Sequence, residues 1–90
     1  MKLETTINLI NEKVFIRTLT YHYTGRVVGE NDLYLILDSA AWIASSGRFN
    51  AALTTGKLDE VEPIPGKVLI AKQNIVDVLE WRHELPNEVI

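Results

Sequence analysis

Ninety residues, 47% of them hydrophobic and 23% charged, suffice for one small domain with its own core and are not the composition of a disordered chain. Twelve acidic and nine basic residues give a net charge of −3, and neither half has a basic excess, which argues against bulk binding of DNA or RNA. Without cysteine, a transmembrane-length apolar run or a signal peptide's apolar centre, we expect a cytoplasmic protein with no disulfide and no membrane contact.

The first 38 residues divide into a helix and three strands. Apolar residues at helical spacing predict an N-terminal helix within residues 1–12, capped by a threonine. From residue 13 to 38, β-branched and aromatic residues predict three strands. The first is a long strand over residues 14–23, and Gly25 then marks a bend or bulge. A tight turn at residues 29–32 completes a hairpin.

The remainder predicts a helical insertion followed by two strands. Residues 39–66 contain serine and glycine on either side of a short amphipathic stretch, followed by an acidic, proline-punctuated loop. Residues 67–82 are predicted to form strands four and five, separated by three residues. Residues 83–90 are polar and are expected to form a loose tail. The chain is interpreted as a single domain spanning residues 1–90.

Five short strands favour closure of the sheet on itself. Open edges invite pairing with other chains, and a small closed barrel removes them. Strands three and five carry apolar residues on both faces, although a barrel has one inner face. The second face must therefore be covered by the helices or by another copy of the chain.

Two stretches resemble the motifs of the Sm-like barrel family. Residues 25–40 contain a glycine, a turn and an apolar strand that ends at small residues, and residues 70–75 read Ile-Ala-Lys-Gln-Asn-Ile. The resemblance implies a mainly β fold, a five-stranded, strongly bent antiparallel Sm-like or SH3-like barrel with an N-terminal helix and a short helical insertion between strands 3 and 4. It also implies ring-like edge pairing. Tyr34 and Ala71 depart from the family's uridine pocket, so Sm-like RNA binding ranks behind other functions. The chain is also similar to small uncharacterised proteins encoded by bacteria and phages.

No motif for catalysis or metal binding is present. His22 and His83 lie far apart without a metal-ligand spacing, and no serine lies in a nucleophile motif. The glycines of the hairpin do not form a phosphate loop. We therefore predict no enzymatic activity, no metal and no cofactor.

Arginine and aromatic residues are the candidates for ligand binding, because these types recognise anionic and planar ligands and also dominate protein interfaces. An arginine on an apolar strand face must either meet a carboxylate or point at a ligand. The predicted ligand-binding residues are Arg17, Arg26, Tyr34, Trp42, Arg48 and Phe49.

The sharpest site prediction concerns the insertion. Trp42 follows three small residues, and Arg48 and Phe49 begin the short predicted helix. Free backbone N–H groups, a guanidinium and an aromatic ring would together suit an anion. In the alternative interpretation, both aromatic residues only pin the insertion to the barrel, and Arg48 pairs with an acid such as Asp38.

These observations predict a non-enzymatic, homo-oligomeric binding module for a small anionic or nucleotide-like ligand. The resemblance to small uncharacterised proteins implies that a phage or bacterium encodes it. One alternative is a structural or adaptor protein that docks a protein partner through Trp42, Phe49 and Trp81. A second alternative is Sm-like RNA binding.

Overall fold

The computed structural model describes residues 8–90 and contains one antiparallel sheet, one α-helix and one 3-10 turn. The strand order is β4-β3-β2-β1-β6, and β5 also pairs with β3. The elements are β1 (Lys13–Thr18), β2 (His22–Glu30), β3 (Tyr34–Ser45), α1 (Phe49–Thr55), β4 (Glu60–Pro63), β5 (Val68–Ala71), the 3-10 turn (Lys72–Asn74) and β6 (Ile75–Glu80).

The predicted mainly β, antiparallel class is confirmed, but the five-stranded closed barrel is wrong. The sheet has six strands and is open. The physical reason is the length of β3, whose first half pairs with β5 while its second half pairs with β4. β6 instead pairs with β1 at the other end of the sheet. Within residues 8–90, no ladder joins β6 to β4 or β5, so the ends stay apart.

The long strand predicted over residues 14–23 is broken by a turn at residues 19–21. The Thr18 hydroxyl accepts hydrogen bonds from the N–H groups of Tyr21 (3.0 Å) and Thr20 (3.3 Å), and the Thr18 N–H donates to the Tyr21 carbonyl (3.0 Å). A threonine hydroxyl can organise a turn without glycine, proline or asparagine. The sequence signal for this turn was therefore weak.

Gly25 lies inside β2, where close packing explains the glycine. A Cβ atom at this position would lie 3.0 Å from Leu37 Cδ1 and 3.1 Å from Leu37 Cβ. Around it the ladder shifts, with Thr24 opposite Ala41 and Arg26 opposite Asp38. The predicted irregularity at Gly25 is thus present, as a bulge within a continuous strand pair.

The segment predicted as insertion and loop contains more strand than expected. β3 continues through Trp42 to Ser45, past Ser39, whose φ is 50°. The predicted helix is present as α1, which ends at Gly56 with φ 79°. β4 then occupies part of the acidic loop, and β5 and β6 match the two strands predicted in residues 67–82.

Two hydrophobic clusters lie on the two faces of the sheet, and β1 contributes to both because its side chains alternate. Val14 and Ile16 belong to the first cluster and Phe15 to the second. The helix α1 packs on the second face through Ala52. A helix therefore covers part of the second apolar face, one of the two expected coverings. The buried members of cluster 1 are Val14, Ile16, Val27, Leu35, Leu37, Ala40 and Ile70, and those of cluster 2 are Phe15, Ala41, Ile43, Ala52, Leu58, Val61 and Trp81.

The two ends of the chain differ from expectation. Residues 1–7 of the predicted N-terminal helix lie outside the described residues, and residues 8–12 form a turn in which Asn11 has φ 70°. The expected loose tail is packed. Ile90 exchanges two backbone hydrogen bonds with Val61 (3.0 and 3.2 Å), and Leu85 packs against cluster 2. In the described part of the chain no helix has the length and apolarity needed to cross a membrane.

Candidate functional site

Arg17 meets a carboxylate, one of the two outcomes expected for it. Its Nε donates to Asp77 Oδ1 at 2.8 Å, and its Nη2 contacts Oδ2 of the same side chain. The guanidinium carbon also lies 5.1 Å from the centre of the Phe49 ring. These hydrogen bonds lower the pKa of Asp77 and raise the pKa of Arg17. The charge of Arg17 is therefore already balanced within the chain.

The predicted site at the insertion is not assembled. Trp42 lies between Ala41 and Ile43, which belong to cluster 2, so its own side chain points to the opposite face. There it packs against Tyr21, with ring centres 4.5 Å apart. Phe49 instead packs on the cluster 2 face against Phe15, with ring centres 5.6 Å apart.

Arg48 is exposed at the start of α1 and makes no capping hydrogen bond with its side chain. The neighbouring backbone is already approached by an acid. A Cβ atom at Gly47 would lie 2.9 Å from Asp59 Oδ2. The position predicted for a bound anion thus has the Asp59 carboxylate beside it. Within residues 8–90, Arg48 forms no ion pair with Asp38, the partner named in the alternative interpretation.

The three aromatic residues of the predicted adaptor surface do not share a surface. Trp81 is only 2% exposed and belongs to cluster 2, where its ring centre lies 5.8 Å from that of Phe15. Its indole N–H donates to the Glu84 carbonyl at 3.1 Å. Because Trp42 lies on the other face, a single partner could not cover this set.

Arg26 is the predicted site residue that lines a cleft with a second cation. It lies directly opposite Lys13 in the β1–β2 ladder, which brings two cations together. The cleft has a volume of about 500 Å³, within the range usual for ligand pockets. We call it the Lys13–Arg26 cleft; its lining residues are Lys13, Arg26, Ser39, Ala40, Pro63, Ile64, Glu84, Leu85, Pro86 and Asn87.

Backbone carbonyls hold both cations in place. Lys13 Nζ donates to the His83 carbonyl at 2.6 Å, and Arg26 Nη1 donates to the Asn11 carbonyl at 2.7 Å. Among residues 8–90 neither cation forms an ion pair. A carbonyl orients a cation without cancelling its full charge, so an anion in the cleft would meet two positioned positive groups.

The C-terminal segment, residues 82–90, supplies one wall of this cleft. It is anchored by the Ile90–Val61 hydrogen bonds and by His83, whose Nε2 lies 2.8 Å from the Leu53 carbonyl of α1. The His83 ring also packs against Gly56, where a Cβ atom would lie 2.6 Å from His83 Cγ. The wall is therefore tied to both the sheet and the helix.

Tyr34 lines a separate, smaller pocket of about 210 Å³ at the opposite end of β1. The Asn31 side chain fixes its backbone by accepting hydrogen bonds from the N–H groups of Tyr34 and Leu33, both at 2.8 Å. We call this the tyrosine pocket; its lining residues are Thr18, Thr20, Tyr23, Tyr34, Leu69, Ile70, Ala71 and Asn74. It combines two phenol rings with neutral hydrogen-bonding groups.

Sequence reasoning missed Lys13 and the C-terminal segment as site elements. With a turn at residues 19–21, antiparallel pairing puts Lys13 opposite Arg26, but the sequence predicted a continuous strand over residues 14–23. The wall formed by residues 84–87 depends on distant contacts that no local pattern signals. In the described chain, no three His, Asp or Glu side chains cluster closely enough to hold a metal ion.

The sequence matches no protein-family model, and no curated protein matches it significantly.

Proposed function

We propose that the protein is a non-enzymatic binding module that holds a small anionic ligand in the Lys13–Arg26 cleft. The observation that carries this proposal is that Lys13 and Arg26 are direct cross-strand neighbours at a cleft of about 500 Å³. Within residues 8–90 neither cation has an ion-pair partner. Charge-assisted hydrogen bonds from arginine to a carboxylate or phosphate are the strongest polar contacts such a site can offer.

The test is calorimetric titration of the purified chain with acetate, inorganic phosphate and AMP, repeated with Arg26→Gln. Loss of a charge-assisted hydrogen bond costs about 1.5–3 kcal/mol, so affinity for the bound probe should fall roughly 10- to 150-fold. Arg48→Gln is the matched control, because Arg48 is exposed and lies outside the cleft. Equal affinity in Arg26→Gln, or a loss confined to Arg48→Gln, would contradict the proposal.

A second candidate function is stacking of a nucleobase in the tyrosine pocket, as part of RNA binding. The observation that favours it is that Tyr23 and Tyr34 line one pocket with the uncharged side chains of Thr20 and Asn74. Aromatic side chains bind bases of single-stranded nucleic acid by stacking. Titration of a short oligouridine into the unmodified chain and into Tyr34→Ala distinguishes this function from the first.

We further infer that copies of the chain associate through the edges of β5 and β6. Among residues 8–90 neither outer edge has a strand partner, and each strand exposes an apolar side chain, Leu69 and Val76, at 57%. Unpaired edges of this kind favour edge-to-edge pairing with a second copy.

Light scattering at micromolar concentration should therefore give a mass of at least twice 10.2 kDa. Leu69→Lys should lower the mass by placing a charge at the edge, whereas Val89→Lys, an exposed position on neither strand, should not. A monomer mass for the unmodified chain would refute the association.

A further inference from the structure

The charge of the Lys13–Arg26 cleft limits the ligand to a low charge, an inference that rests on the function proposed for this cleft. Among its described lining residues, Lys13 and Arg26 are positive and Glu84 is negative. The lining therefore carries one net positive charge. A monoanion balances it, whereas a doubly charged phosphate ester leaves negative charge uncompensated beside Glu84.

The remaining lining side chains are mostly aliphatic. Pro63 is the last residue of β4 and Ile64 follows it, and the Ile64 N–H donates to the Ala40 carbonyl at 2.8 Å, which fixes this wall on β3. Leu85 and Pro86 form the facing wall on the C-terminal segment. None of the described lining residues is aromatic, so the cleft offers no ring on which a base could stack.

Both cations retain donors for a ligand. A guanidinium has five N–H donors and an ammonium three. Arg26 uses Nη1 for the Asn11 carbonyl, and Lys13 makes one hydrogen bond with the His83 carbonyl. The remaining donors of Arg26 suit the two oxygens of a carboxylate, which arginine binds in a bidentate manner.

We propose that the Lys13–Arg26 cleft binds a monocarboxylate with an aliphatic body and not a nucleotide. The carboxylate lies at the two cations, and the aliphatic chain lies between the β4 end and the C-terminal segment. The cations supply orientation, and the two aliphatic walls supply affinity that grows with buried apolar area.

The test is a calorimetric series of acetate, butyrate, hexanoate and octanoate, with AMP and inorganic phosphate measured alongside. Burial of one methylene contributes about 0.8 kcal/mol, so affinity should rise by up to about fourfold for each added methylene that contacts the walls. Ile64→Ala, with folding checked by thermal unfolding, should flatten this dependence. Arg26→Gln should weaken every carboxylate, and 1-octanol should bind more weakly than octanoate.

The outcomes separate this inference from the proposed function. Affinity independent of chain length, or AMP bound more tightly than octanoate, would overturn the aliphatic carboxylate while leaving an Arg26-dependent anion site. If no carboxylate, phosphate or AMP binds in an Arg26-dependent manner, both the proposed function and this inference fail. Octanoate binding that persists in Arg26→Gln would count as non-specific apolar association and would also overturn the inference.

Discussion

The hydrophobic clusters on the two faces of the sheet are built in different ways. Cluster 1 is aliphatic, and all its buried members lie on β1, β2, β3 and β5, so the sheet itself supplies them. Cluster 2 is built around the rings of Phe15 and Trp81 and is completed by α1, Leu58 and the C-terminal segment. The first face depends on strand alternation, and the second depends on segments that return from elsewhere in the chain. The proposed cleft has its wall on one of those returning segments.

Removal of the Trp81 ring should have the largest effect, because this side chain joins the sheet to the C-terminal segment. Trp81→Ala should lower the free energy of unfolding by about 3–5 kcal/mol, the usual cost of truncating a buried aromatic residue. Trp42→Ala is the matched control, since Trp42 is half-buried on the other face, and its cost should be smaller. Urea unfolding measures both. A loss below about 1 kcal/mol in Trp81→Ala would show that cluster 2 does not hold the fold together.

The contact between His83 and the end of α1 should have the next largest effect. Gly56→Ala combines a positive φ with a Cβ atom 2.6 Å from His83 Cγ, so overpacking of about 1–3 kcal/mol adds to the backbone strain. Gly66→Ala is a control for strain alone, because Gly66 has φ 84° and no atom within 4 Å of the added Cβ. The difference between the two unfolding free energies measures the His83 contact. Equal losses of unfolding free energy in the two variants would mean that the C-terminal segment moves away from the added Cβ atom at no cost.

The difference between local patterns and contacts distant in the sequence also explains how much of the fold the sequence predicts. Short runs of apolar and β-branched residues bounded by turn residues correctly predicted the last two strands and the hairpin that joins β2 to β3, because both signals are local. The helix α1 was predicted from its glycine boundary. The turn at Thr18 was missed because a threonine hydroxyl, a weak turn signal, organises it. The closed barrel was wrongly predicted because one edge of β3 pairs with two strands, β4 and β5. These pairs join residues that are distant in the sequence, so no local pattern indicates them.

Of the six residues predicted to bind a ligand, Arg26 and Tyr34 line the two clefts described above. Arg17 is instead neutralised by Asp77, and Phe49 lies on the face opposite Trp42. Arg26 reaches the cleft only because the register places it opposite Lys13. Register depends on where the turn lies, and an error of a few residues there moves every cross-strand partner.

The smallest expected effect concerns pH at the rim of cluster 2, where the His22 ring packs against Phe15 with centres 5.5 Å apart. Burial lowers the pKa of His22, and the charge of Arg17 adds to this effect while Asp77 opposes it. The unfolded chain, in which histidine titrates near about 6.5, therefore binds more protons than the folded chain between the two pKa values. Stability falls as the pH drops from about 7 through this window and then levels off for this group. Urea midpoints at pH 7.5 and 5.5 should differ less in His22→Gln than in the unmodified chain. Because both proteins retain His83, the difference between their changes in urea midpoint isolates the effect of His22. Identical changes in the two proteins would show that the His22 ring protonates as easily in the folded chain as in the unfolded one.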